Sequence, residues 1–77
     1  MEGKLKFCYD KIGDILYLDT CKPYAGQESE MLDDEIVVRL HPQTNEVENV
    51  EILFYSKRLA ETNDFTLPLL ADLRLAA

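Results

Sequence analysis

Ten residues near the start, Tyr9-Asp10-Lys11-Ile12-Gly13-Asp14-Ile15-Leu16-Tyr17-Leu18, constrain the fold more than any other stretch. Just before and into them, Leu5-Lys6-Phe7-Cys8-Tyr9 alternates apolar and polar residues with the period of a half-buried strand. Asp10 to Gly13 has the composition of a type I turn: the Asp10 carboxylate can accept a turn amide, and Gly13 can take the left-handed conformation after it. Ile15 to Asp19 then reads as a second strand that is apolar on both faces, with Leu16 and Leu18 on one and Ile15 and Tyr17 on the other. Such a strand is expected to be central or covered by a partner. The fold therefore opens with a hairpin.

Two more strands follow. Thr20 to Ser29 contains Pro23 and Gly26 and reads as a loop, with room for a short strand at Ser29–Leu32. Glu35-Ile36-Val37-Val38-Arg39-Leu40 is rich in β-branched residues and gives the third strand. It stops at His41-Pro42, and Asn45 can adopt the positive φ that a hairpin needs. Glu46 to Phe54 gives the fourth, with Val50, Ile52 and Phe54 on one face and Glu51 and Leu53 on the other. Beyond Tyr55 the period changes. Ser56 can cap a short helix over Lys57 to Glu61, and Thr62-Asn63-Asp64 breaks it. Thr66 can cap a second helix running to about Ala76, with Pro68 in its first turn and Leu69, Leu70, Leu73 and Ala76 on one face. The expected class is α+β, a four-stranded antiparallel β-meander over about residues 4–54 followed by one or two short C-terminal helices within about 56–76. The leucine stripe can cover the sheet or pack on another chain.

Size and charge bound the function. A chain of 77 residues is one small domain, and at that size only about 60% of the unfolded surface is buried, so the core is marginal without outside support. Cys8 and Cys21 form neither a CxxC pair nor a zinc-knuckle spacing. In the first hairpin Cys8 falls near Leu16, which puts the two sulfurs roughly 17 Å apart and beyond the reach of a disulfide. No basic, apolar signal region opens the sequence, and no apolar run approaches the ~20 residues of a membrane span. A reduced, cytoplasmic protein supported by self-association, a homodimer, is the expectation. Fifteen acids against eight bases give a net charge of −7, which opposes binding to nucleic acid. Five of the acids, Glu28, Glu30, Asp33, Asp34 and Glu35, fall within eight residues. They read either as a solvated strand entry that blunts a sheet edge or as a docking face for a basic partner protein.

Tyr9-Asp10-x-x-x-Asp14-Ile15-Leu16-Tyr17-Leu18, then Ile36-Val37-Val38 before a hairpin, then Val50-Glu51-Ile52-Leu53 leading into Ser56-Lys57-Arg58-Leu59, resembles the small bacterial family called domain of unknown function 2283. The resemblance covers roughly residues 5 to 59. The family pattern carries a glycine in the turn before the last strand and often one just before the Glu-Ile-Leu; here Asn45 and Asn49 stand near those places. Asn45 preserves the turn chemistry, whereas Asn49 departs from the pattern. The resemblance implies a fold and no activity.

Candidate chemistry is sparse. Asp10, Asp14 and Glu51 could form a carboxylate cluster for a hard cation if Glu51 approaches the first hairpin, the basis of a metal-dependent hydrolase reading. Against it, Asp at the ends of a turn is ordinary turn chemistry and Glu51 can face water. His41, the single histidine, reads as a solvated loop residue. Gly3, Gly13 and Gly26 build no phosphate-binding loop, and no cofactor is expected. Cys8, on an apolar strand, reads as a small core residue, and Cys21, beside Lys22, as a loop thiol. The leading expectation is a non-enzymatic protein-interaction domain forming a homodimer, with Leu69, Leu70 and Leu73 among its contact residues. The alternatives are an antitoxin-like acidic protein that neutralises a basic one through Glu28–Glu35, and the hydrolase.

Overall fold

The computed structural model describes residues 4–62, 64, 66–70 and 73–75. Among the described residues five strands, β1 (Lys6–Asp10), β2 (Ile15–Asp19), β3 (Glu28–Asp33), β4 (Ile36–Leu40) and β5 (Val47–Leu53), precede one helix, α1 (Tyr55–Glu61). All pairings are antiparallel and the sheet order is β1-β2-β5-β4-β3.

Two expectations change here. The sheet has five strands rather than four, because the acidic stretch is itself a strand: Ser29 lies opposite Arg39 and Met31 opposite Val37, with the Arg39 guanidinium donating to Ser29 Oγ at 3.2 Å. The order is also not that of a simple meander, since β5 returns to lie between β2 and β4. The reason is the apolar alternation of β5, which fits two neighbours at once. Val50 sits between Leu18 and Val38, and Ile52 between Leu16 and Ile36. These four β4 and β5 residues, Ile36, Val38, Val50 and Ile52, are the buried core, and all lie on one face of the sheet. Burying each contributes roughly 1.5–3 kcal/mol.

The C-terminal segment lies on that same face, with Tyr55, Leu67 and Leu69 packed against the core. The helix begins at Tyr55, and no side chain of its own N-terminus caps it; Phe54, in the left-handed region at φ 54°, makes the corner. The proposed second helix is absent from the described part of its span, 66–70 and 73–75. An isolated stretch of about eleven residues is too short to be helical in water without packing. A tight turn at Pro68 instead brings Leu67 and Leu69 onto the sheet together, closed by the Leu69 amide donating to the Leu67 carbonyl at 2.8 Å. Leu70 and Leu73 then point away, at 105% and 81% exposure, so the four-residue stripe does not exist as a helix face. Ala76 lies outside the described residues.

Candidate functional site

The opening motif and the Ser56 segment meet in space. Asp14 follows the β1–β2 turn in the left-handed conformation, φ 57°, and its carboxylate is held from both sides. The Tyr9 hydroxyl donates to Oδ1 at 2.5 Å, the Ser56 amide donates to Oδ1 at 3.0 Å, and the Ser56 hydroxyl donates to Oδ2 at 2.8 Å. The Asp14 carbonyl accepts from the Tyr55 amide at 3.0 Å. Asp14 thus supplies from 42 residues away the cap that α1 lacks locally. Ser56 is on the receiving end of that cap and does not itself cap the helix. The Tyr9 and Tyr55 rings meet edge to face, centroids 5.8 Å apart, on the same side of the sheet. The Tyr9 hydroxyl, followed by the Ser56 amide, holds the Asp14 carboxyl below its usual range, and the same bond to Asp14 raises Tyr9.

The other carboxylates of the imagined cation site have separate partners. Asp10 accepts the turn amides of Ile12 and Gly13 on Oδ1 at 3.0 and 3.1 Å, as its turn position implies. The left-handed residue of this turn is Asp14, however, and Gly13 serves for its missing side chain: a Cβ there would lie 2.8 Å from Asp10 Oδ2. Glu51 accepts from Arg39 Nε at 2.8 Å on the sheet face away from the core. Among the described residues no group of three or more His, Cys, Asp or Glu could hold a metal ion. His41 is half-buried, and its Nδ1 accepts the amides of Gln43 and Thr44 at 3.1 and 3.3 Å. That leaves Nε2 to carry the proton of the neutral ring, so His41 organises the turn. Asn45 takes its positive φ, 64°. Cys8 is exposed rather than a core residue, because it lies opposite Tyr17 on the edge strand β1, away from the buried cluster; Cys21 is half-buried, and both are free thiols.

Sequence reasoning missed a buried polar residue, Asn49, 1% exposed on β5. Its amide nitrogen donates to Asp19 Oδ1 at 2.9 Å and to the Cys21 carbonyl at 2.7 Å, and its Oδ1 accepts from Gln27 at 2.7 Å. The neighbouring Glu48 accepts from Gln27 and from the Tyr24 hydroxyl at 2.8 and 2.7 Å, which lowers the Glu48 carboxyl and pushes Tyr24 up to about 12. Together they clamp the 20–27 loop to β5. The one signal was the departure from the glycine of the family pattern.

Surface remains. Glu28 and Glu30 are exposed on the outer strand β3, and Glu35 is bonded to Arg58 at 3.4 Å. Asp34 lies in the β3–β4 turn and Asp33 ends β3. On the sheet face opposite the core, Ile15, Tyr17, Val37 and Leu53 are half-buried around the Arg39–Glu51 pair, outside the core cluster. At the β1 edge Leu5, Phe7 and Tyr9 are exposed by 45%, 65% and 41%. No helix among the described residues is long and apolar enough to cross a membrane. A family model described as a protein of unknown function (DUF2283) matches residues 6–56, more than half of the chain. No curated protein and no solved structure matches it.

Proposed function

We propose, from the premise that this chain belongs to the DUF2283 family of proteins of unknown function, that it is a non-enzymatic interaction domain working as a homodimer. The observation that carries this reading is the amount of apolar surface over which the described residues place no covering layer. Leu67 and Leu69 cover one face, over Ile36, Val38, Val50 and Ile52. The opposite face keeps Ile15, Tyr17, Val37 and Leu53 half-buried, and β1 leaves Leu5, Phe7 and Tyr9 exposed. Clustered apolar exposure of this kind marks association surfaces. The polar residues of the family motif support the same reading, because Asp10, Asp14 and Glu51 are each engaged in holding the fold.

Sedimentation equilibrium at micromolar concentration tests it. The expected result is twice the chain mass, and a folded monomer throughout that range would overturn the proposal. A second reading, an acidic partner of a basic protein, is favoured by Glu28 and Glu30 lying on one face of the outer strand β3. It expects capture of a basic protein that is lost on Glu28→Gln with Glu30→Gln; capture that survives both changes removes it.

A further inference from the structure

We infer that the outer edge of β1 pairs antiparallel with the same edge of a second copy, about a two-fold axis at Phe7, so that two five-stranded sheets become one continuous sheet. This rests on the homodimer reading and names its surface. The two edges of the sheet are built differently. On β3, Glu28 and Glu30 are exposed and the ladder shifts register between Met31 and Asp33, so self-pairing there would set carboxylates together along a distorted edge. On β1 the ladder to β2 runs without a shift through five residue pairs, and Leu5, Phe7 and Tyr9 lie on one side of it at 41–65% exposure. An edge that is regular and apolar on one side is a template for another strand.

The sequence of β1 selects the register. Only even shifts keep like faces together about a two-fold axis perpendicular to a sheet, because side chains alternate. With the axis at Phe7, Phe7 meets Phe7, Leu5 meets Tyr9, Lys6 meets Cys8, and Lys4 meets Asp10 of the second copy. Leu5, Phe7 and Tyr9 then each have an apolar counterpart and the end charges are opposite. Moving the axis to Lys6 sets lysine against lysine. Moving it to Cys8 leaves Leu5 facing Lys11. The Tyr9 hydroxyl keeps its bond to Asp14 throughout, so the pairing asks nothing of the intramolecular lock.

The test uses the full chain carrying Cys21→Ser, which leaves Cys8 as the one thiol. In the inferred register the two Cys8 Cα atoms are diagonal neighbours roughly 7–8 Å apart, within reach of a short bis-maleimide. Efficient cross-linking of dilute protein at Cys8 is expected. Phe7→Lys should raise the dimer dissociation constant at least roughly tenfold by setting ammonium groups across the axis, while Met31→Lys on the β3 edge should leave it unchanged. Phe7 is exposed, so the Phe7→Lys chain should keep its circular dichroism. A dimer that persists in Phe7→Lys and fails to cross-link through Cys8 overturns the β1 edge while leaving the homodimer standing. A monomeric parent protein overturns both.

Discussion

At the scale of single residues the motif is a set of backbone clamps. Asp14 is the sharpest case, because one carboxylate receives Tyr9, the Ser56 amide and the Ser56 hydroxyl. Asp14→Asn should lower the melting temperature at neutral pH, since an amide offers one acceptor oxygen where three donors converge. The sign with pH follows from the shifts. Asp14 is lowered from 3.8 on folding, so its contribution is present above that value and lost as pH falls through the folded one. Tyr9 is raised from 10.0, so its contribution is present below that value and lost as pH rises through the folded one. Wild type and Asp14→Asn should therefore converge in melting temperature in strong acid, and parallel curves down to the lowest pH would refute the assignment. Gly13→Ala places a Cβ against the Asp10 carboxylate and should cost about 1 kcal/mol, read from chemical denaturation.

Elements add constraints that residues alone do not carry. Strand β5 is central, and its one buried amide ties it to the 20–27 loop through Asp19, Cys21 and Gln27. Asn49→Ala strands those groups and should cost about 1–3 kcal/mol, with amide exchange accelerated in the loop before β1 is affected. The C-terminal segment is tested by a proline. Leu70→Pro would cost ~3 kcal/mol inside a helix, but Leu70 is fully exposed on non-helical chain, so a change within ~0.5 kcal/mol is expected. The strands themselves were legible because Ile36-Val37-Val38 and Leu16-Tyr17-Leu18 carry their period locally. Strand β3 was read mainly as loop because Glu28, Glu30 and Asp33 are poor strand formers whose place is set by pairing with β4.

For the whole molecule, charge and uncovered apolar surface pull in opposite directions. Two copies at −7 repel, whereas the two Lys4–Asp10 contacts of the inferred dimer are exposed pairs worth ~0–1 kcal/mol each. Repulsion between the nets is the larger effect, so added salt should tighten the dimer as the screening length falls from about 10 Å at 0.1 M to 3 Å at 1 M. Sedimentation across that range checks it, and a dissociation constant that rises with salt would show that ion pairs dominate instead.

Local sequence specified what local physics can specify: the β1–β2 hairpin with its Asp10 turn, the β4 strand, the positive φ of Asn45 and the helix after Tyr55. These depend on side-chain alternation and turn chemistry within a few residues. The order of the sheet, the capping of α1 by Asp14, the burial of Asn49 and the non-helical course of Leu67 and Leu69 over the core came only with the tertiary structure. Each is a match between groups far apart in the chain, and such matches are chosen by which apolar faces and orphan backbone groups can be satisfied together. Nothing in the residues flanking Asp14 marks Ser56 as its partner; closing the sheet with β5 beside β2 puts them in contact.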